Sequence, residues 1–210
     1  MSDTRERTPT SEAPHHGMLI AFEGLDQSGK ETQSELVRAA VIARGRQCRL
    51  LSFPDYTTAI GSEISRALRG EREYGADVMQ VMYVANRYER RVEIARLLAD
   101  GVVLVCDRYL ASSIAYGEAQ GLDPGWLSDM QRFLPQPDLT VFLDIAPGIA
   151  VQRKAEGRDR YERDLALLSR VRDSYKRQAS AGWLRVDGER PRDVVSAEIL
   201  TAIATRLGLQ

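Results

Sequence analysis

Histidine is almost missing from this chain: His15 and His16 are the only two in 210 residues, and both precede the first apolar segment. A hydrolase built on a nucleophile and an imidazole base is thereby disfavoured, and any chemistry has to run without imidazole. Cysteine is nearly as scarce. Cys48 and Cys106 have no metal-ligand spacing and fall within or beside strand-like runs, so they are expected to be reduced core residues of a cytoplasmic protein. No charge of one sign dominates. A formal net charge of -1 leaves no overall excess of Lys and Arg for a general nucleic-acid binder, so no nucleic-acid partner is expected. No apolar run is long enough to form a membrane-spanning helix, and no membrane partner is expected either. Residues 1–17 carry Pro9 and Pro14 and lack the apolar stretch of a secretion signal, while acidic residues among their arginines argue against a transit peptide. They read as a disordered lead-in. With 43% hydrophobic residues, 18–210 can bury one core and reads as a single domain.

Against this background the segment from Met18 to Lys30 stands out. Met18-Leu-Ile-Ala-Phe-Glu23 has the composition of a buried strand, and it runs directly into Gly24-Leu25-Asp26-Gln27-Ser28-Gly29-Lys30. Gly24 and Gly29 can take positive φ without a side-chain clash, which lets successive amide N–H groups point inward at phosphate oxygens. Lys30 adds a cation, and the helix it opens adds a positive dipole end. Lys30, Lys154 and Lys176 are the only lysines in an arginine-rich chain, and one of them occupies the charge position of this loop. The loop departs from the usual form in one respect. Glu31, followed by Thr32, stands where a Ser or Thr hydroxyl ordinarily meets Mg2+. Either Glu31 faces solvent in the first helical turn, or it reaches the metal through water.

Apolar runs at 18–23, 48–53, 102–107, 139–144 and 183–187 alternate with segments of helical period. Helices are expected at about 30–44, 58–69, 76–100, 109–120, 124–133, 147–156, 162–180 and 191–207. The alternation predicts an α/β fold with a five-stranded parallel sheet and helices on both faces; taken with the glycine loop and the arginine-rich stretch at 153–162, a three-layer P-loop NTPase fold with a short arginine-rich lid is expected. Ligands in such sheets gather at the carboxyl ends of the strands.

Asp107-Arg108-Tyr109 falls at one such end. There Asp107 could hold Mg2+ through water and Arg108 could clamp a phosphate, or the two could form a strand-end salt bridge. Tyr83 and Arg87 are four residues apart in an expected helix and so share a face. An aromatic plane beside a guanidinium suits a flat heterocycle, although a core tyrosine beside a solvated arginine has the same spacing. Residues 153–162, Arg153-Lys154-Ala-Glu-Gly157-Arg158-Asp159-Arg160-Tyr161-Glu162, form either a cationic lid with a glycine hinge or a solvated helix end.

Four ordered segments together resemble the thymidylate kinase family, from about Met18 to the C-terminus. The family's F-E-G-x-D-x-x-G-K-x-T-Q loop stands here as Phe22 to Gln33, and its F-P pair as Phe53-Pro54. Its aromatic residue ahead of A-N-R stands as Tyr83-Val-Ala-Asn86-Arg87, and its D-R-Y-x-x-S-x-x-A-Y stretch as Asp107 to Tyr116. The resemblance implies an ATP-dependent nucleoside monophosphate kinase acting on dTMP with Mg2+, cytoplasmic and homodimeric. It implies that the Gly24–Thr32 loop binds ATP, through Gly24, Leu25, Asp26, Gln27, Ser28, Gly29, Lys30, Glu31 and Thr32. Arg160 would lie over the adenine, with the turn at Asp187 beside it. For dTMP it implies Tyr83 stacked on thymine, Arg87 on a thymine carbonyl, Arg108 on the phosphate and Tyr116 against the place of a ribose 2′-hydroxyl. Asp26, Phe53, Ser112 and Ser113 complete that pocket, Ser113 standing where some members carry a base-reading asparagine. Lys30, Asp26 and Arg108 would be catalytic, and Asp26 and Asp107 would face the metal. Some members keep a catalytic arginine in the glycine loop and others in the lid. Here Gln27 is uncharged, so the resemblance implies Arg153 or Arg158.

A phosphate acceptor is largely dianionic at neutral pH and needs no general base, which agrees with the shortage of histidine. A deoxynucleoside kinase, whose hydroxyl acceptor needs a base, is the nearest alternative, followed by a nucleotide-binding homologue with weakened catalysis. A GTPase-type switch is disfavoured, because Asn86 is the only asparagine and is followed by Arg87 rather than lysine.

Overall fold

Strand β1 (Met18–Gly24) is buried along nearly its whole length, and so it lies at the centre of the sheet. A computed structural model describes residues 16–153, 164–179 and 182–207. Along the chain, α1 (Lys30–Ala43), β2 (Cys48–Ser52), α2 (Ala59–Leu68), α3 (Ala76–Ala99) and β3 (Val103–Asp107) follow β1. Next come α4 (Leu110–Ala119), α5 (Pro124–Asp129), β4 (Leu139–Asp144), α6 (Pro147–Arg153), α7 (Leu165–Gln178), β5 (Leu184–Asp187) and α8 (Arg192–Leu207). The strands form one parallel sheet in the order β2-β3-β1-β4-β5, as the alternation predicts.

Strand parity divides the core into two layers. Ile20, Phe22, Val103, Val105, Val141 and Leu143 face α1 and α8, meeting Val37, Val41, Ile199 and Ile203. Leu19, Ala21, Leu104 and Cys106 face the other way, toward Ile94 of α3 and Leu110 of α4. Each large aliphatic residue so buried contributes about 1.5–3 kcal/mol relative to exposure. Phe142, on that second face, meets Ala111 and Ala115 of α4 and Val171 and Tyr175 of α7. Cys106 is fully buried as expected, whereas Cys48, at the start of β2, is only partly covered.

The helices that follow neighbouring β1 and β3 therefore pack on opposite faces. The crevice between those strand ends is where such sheets bind ligands. Register keeps the ends level, with Phe22 opposite Asp107 and Asp107 opposite Ser52.

Helix limits follow local chemistry. Thr58 caps α2 by accepting from Gly61 N at 3.0 Å. Asp123, ahead of Pro124, caps α5 by accepting from Trp126 N at 2.6 Å, and Asp164 caps α7 by accepting from Leu167 N at 2.9 Å. Helix α5 ends at Asp129 rather than near 133. The chain tightens there into turns, with Gln131 N donating to Ser128 O and Leu134 N to Gln131 O, which delivers Gln131 and Leu134 into the interior. The expected helix ends near 156 and 162 fall outside the described residues, as do residues 1–15 of the lead-in.

Asp144, the last residue of β4, ties three elements together. It accepts from Arg172 Nε of α7 at 2.6 Å and from Arg185 Nη2 of β5 at 2.6 Å. Burial alone would raise its pKa; hydrogen bonds and charge from the two guanidiniums outweigh that and hold it below the usual aspartate value. Because the folded-state value is the lower one, this stabilisation is in full force above the unfolded-chain pKa of about 3.9 and drains away as pH falls through the folded value. Asp144→Asn should thus be less stable than wild type at neutral pH, with the gap closing between about pH 5 and pH 2. Urea midpoints measured across that range check it, and a gap independent of pH would contradict the linkage.

Candidate active site

The loop between β1 and α1 has the backbone its glycines permit. Gly24, Gln27 and Gly29 have φ of 142°, 64° and 97°. A Cβ on Gly24 would lie 2.5 Å from the Leu143 carbonyl oxygen, so no side chain fits where the loop leaves the sheet. Gly29 opens α1 with no side-chain cap, which leaves the first amides of the helix for a ligand. Lys30, 5% exposed, folds back to donate to Leu25 O at 2.8 Å. Burial, and next the Arg108 guanidinium, lower its pKa, while Asp26, Asp107 and Glu23 oppose them.

Asp107 and Arg108 emerge at the end of β3 beside this loop. Arg108 has φ 62° and donates its backbone N–H to Phe22 O at 2.9 Å. Its guanidinium is the hub of the crevice. Nη2 pairs with Asp26 Oδ1 at 2.7 Å and donates to Tyr116 OH at 3.3 Å. Nη1 donates to Gly24 O at 3.2 Å, Ser112 Oγ at 3.2 Å and Tyr175 OH at 3.3 Å. Burial pulls its pKa down, but Asp26 and the surrounding tyrosine and aspartate oxygens outweigh that and hold it well above the usual guanidinium value. Burial likewise pushes Tyr116 well up, which keeps its hydroxyl neutral.

Glu23 explains why this hub is ordered, and residue spacing gave no hint of it. The carboxylate is fully buried and accepts from Tyr109 N at 2.9 Å, Ser112 N at 3.3 Å, Ser112 Oγ at 2.6 Å and Tyr175 OH at 3.2 Å. It thus caps α4 from a distant strand, placing negative charge against the helix N-terminus, where Tyr109 supplies no cap of its own. Ser112, expected in the dTMP pocket, spends its hydroxyl on this network.

Lys30, Asp26, Gln27, Gly29, Glu31, Thr32, Phe53, Asp107 and Arg108 line one cavity of about 330 Å³, together with Ser52, Pro54 and Tyr56. Glu31 and Thr32 are both exposed on its rim. Phe53 is buried and packs against Tyr109 at 5.7 Å between ring centroids. Its loop is anchored by Asn86, whose Oδ1 accepts from Asp55 N at 2.7 Å and whose Nδ2 donates to Thr58 Oγ1 at 2.8 Å.

Tyr83, Arg87 and Ser113 do not line that cavity; they meet where α3 crosses α4. Arg87, 3% exposed, donates through Nη1 to Ser113 Oγ at 2.7 Å, Gln131 Oε1 at 3.3 Å and Tyr83 O at 3.4 Å. It is therefore not the solvated arginine of the alternative reading. Burial lowers its pKa, with the Glu23 carboxylate first among the groups that oppose this.

On the far side of the loop, Arg153 at the end of α6 donates to Gln27 O at 3.1 Å and Gly188 O at 2.9 Å. It thereby clamps the glycine loop to the turn that follows β5. Asp187, the last residue of β5, is exposed where that turn begins and accepts from Glu189 N at 2.9 Å. Arg158 and Arg160 lie outside the described residues.

A glycine loop, an Asp-Arg pair on the adjacent strand end and a buried aromatic-arginine seam nearby define a P-loop nucleotide kinase. Comparison with known proteins narrows the class. The family model described as thymidylate kinase matches residues 22–199. A thymidylate kinase of Schizosaccharomyces pombe is 38% identical over 163 residues, 78% of this chain and 77% of the relative. The human thymidylate kinase is 32% identical over 190 residues, 89% of this chain and 90% of the relative. A solved thymidylate kinase structure from Candida albicans superposes with a TM-score of 0.79 at 28% identity, covering 93% of this chain and 94% of the other. The chain belongs to the thymidylate kinase family.

Glu23→Gln keeps the shape of the cap but exchanges one acceptor oxygen for an amide donor facing hydroxyls and N–H groups. It should cost about 2–4 kcal/mol of stability and raise KM for the substrate nearest Arg108 by tenfold or more. Thermal unfolding and steady-state kinetics check it, and a variant indistinguishable from wild type in both would contradict the capping role.

Proposed function

We propose that this protein transfers the γ-phosphoryl group of ATP to dTMP, giving dTDP and ADP, with ATP on the Gly24–Thr32 loop and dTMP between Tyr83, Arg87 and Arg108. The observation that carries this reading is the Arg108 guanidinium, which is bonded at once to Gly24 O of the phosphate loop and to Ser112 of α4. A cation in that place bridges the triphosphate side of the crevice and the α3–α4 side.

Phosphoryl transfer through a loose transition state depends on alignment and on charge placed on the moving oxygens. Amides of the loop and Lys30 hold the donor phosphates; Arg108 holds the acceptor phosphate and leads it toward them. That acceptor is already a dianion, so no residue has to remove a proton. A nucleoside hydroxyl would need a base. The most deeply buried carboxylate, Glu23, is committed to capping α4, and Asp26 is paired with Arg108, which favours the phosphate acceptor over the nucleoside kinase reading. Tyr116, stacked at 5.2 Å from the Arg108 guanidinium, supports exclusion of a 2′-hydroxyl.

Mg2+ fits the donor set. Asp107 Oδ1 is buried without a hydrogen-bond partner among the described residues, and Asp107 and Asp26 line one cavity with the loop. Two carboxylates completed by phosphates and waters are a common Mg2+ environment. When bound, the ion would neutralise charge on the phosphate oxygens. Glu31 brings no hydroxyl to it, so the aspartates carry the protein's share. Arg153, already held against the loop at Gln27, is the described candidate for the arginine that meets the transferring group, with Arg158 the other.

Among the described residues no helix is long and apolar enough to cross a membrane. A homodimer packed through α3 accompanies this reading, since Val78, Val81 and Val92 of that helix are exposed. A cytoplasmic setting accords with two free cysteines.

A coupled ADP-release assay offering dTMP, dUMP, dCMP, AMP and thymidine should show turnover fastest with dTMP; turnover with thymidine alone would overturn the assignment. Lys30→Ala and Arg108→Ala should each lower kcat/KM by about 100-fold or more without unfolding the protein. Near wild-type rates in either would remove it from the mechanism. A separate comparison locates the lid arginine: whichever of Arg153→Ala and Arg158→Ala lowers kcat by about 100-fold with little change in ATP affinity identifies it. Unchanged kcat in both would place the catalytic arginine elsewhere.

A further inference from the structure

Gln80 is fully buried on α3, yet neither its Oε1 nor its Nε2 has a hydrogen-bond partner among the described residues. A carboxamide shut away from water with donor and acceptor both unmet is costly, and the fold shows how readily it satisfies such a group elsewhere. Gln131, equally buried and close by, donates from Nε2 to Leu110 O and Leu127 O, both at 3.1 Å, and accepts from Arg87.

Its position is as telling as its lack of partners. Gln80 precedes Tyr83 by three residues and Arg87 by seven, so the three lie along one side of α3. The opposing side of α4 carries Ser113 and, one turn on, Gly117. Arg87 bonds Ser113, and Gln80 lies against Gly117, where a Cβ would sit 3.3 Å from Gln80 Cγ. The two helices thus meet in two rungs, Arg87 with Ser113 and Gln80 with Gly117. Because Gly117 has no side chain, Leu127 reaches within 2.6 Å of the place a Cβ would take, and Gln80 packs beside it against the bare α4 backbone.

Counting unmet atoms along this seam gives a pattern. Among the described residues, Arg87 Nε–H is a donor without a partner, Gln80 Oε1 an acceptor without one and Gln80 Nε2 a second such donor. Donor, acceptor and donor are the complement of a 2,4-dioxopyrimidine edge, which presents carbonyl, imide N–H and carbonyl. Cytosine replaces one carbonyl by an amino group, which an arginine cannot accept from. Resting on the dTMP reading above, the geometry points to Gln80 as a further specificity-determining residue, whose carboxamide bonds the imide edge of the nucleobase while Arg87 holds a carbonyl.

The test compares wild type with Gln80→Leu, which removes the amide at similar volume, and Gln80→Asn, which withdraws it by one carbon. Kinetics with dTMP and dCMP are measured alongside thermal unfolding with and without dTMP. In both variants KM for dTMP should rise by about tenfold or more, kcat should change far less, and the dTMP-over-dCMP ratio of kcat/KM should fall by about tenfold or more. Ligand-free Gln80→Leu should melt no lower than wild type, since an apolar isostere relieves an unmet buried amide. Unchanged KM and selectivity in folded variants would overturn the inference, and a lowered melting point with wild-type KM would assign Gln80 to the fold instead. If Gln80→Leu does not fold, Gln80→Asn decides between these outcomes. A wild type inert toward dTMP would remove the functional reading and this inference together; an active wild type with unaltered variants removes only the inference.

Discussion

A carboxylate that meets no water sets the geometry of the whole crevice. Glu23 leaves β1 one residue before the phosphate loop and terminates the exposed amides of α4, so the helix that carries Ser112, Ser113 and Tyr116 is fixed to the strand that carries the loop. Tyr175 of α7 joins through its hydroxyl, bringing a third element into the same network. Arg108 lies within this frame and takes its orientation from Ser112 and Tyr175 on one side and Asp26 on the other. A buried charge of this kind is expensive unless its hydrogen bonds are made, and here four donors make them. The penalty for misplacing any of them holds the arrangement to one geometry.

What was readable in the chain is what local rules determine. Parallel strands follow from short apolar runs separated by helical segments, and the loop follows from two glycines at fixed spacing before a lysine. The Asp107-Arg108 pair is marked by its place at the end of a strand. The roles of Glu23, Tyr175 and Gln131 are not readable there, because they depend on partners distant in sequence. Glu23 meets Tyr109 across 86 residues and Tyr175 across 152. Nothing in the neighbourhood of Gln131 announces that it will accept from Arg87, and the early end of α5 that delivers it there follows from packing rather than propensity. Asn86 was visible as part of a motif, but its work is to clamp the Asp55 loop, which no spacing rule describes.

Charge in the crevice is closely matched. Lys30 and Arg87 are buried and Arg108 is partly buried, and Glu23, Asp26 and Asp107 act on them. Glu31 adds a carboxylate on the rim at a place where the loop ordinarily offers a neutral hydroxyl. The mouth of the cavity is in consequence more negative than the loop motif alone suggests, and under the proposed function the burden of holding a cation there would fall on Asp26 of the loop and Asp107 at the end of β3.

The contact between Arg108 and Asp26 has a bearing on how an anion enters. At rest the guanidinium already has a tenant, an aspartate oxygen at 2.7 Å, so under the proposed function a phosphate drawn to Arg108 would compete with that carboxylate. Such an exchange would spare the arginine any interval of naked charge and would make the seat discriminating, because a weakly charged or poorly shaped visitor would gain too little to evict the carboxylate. Sulfate and other stray oxyanions would face the same incumbent, leaving occupancy to molecules that bring further contacts of their own.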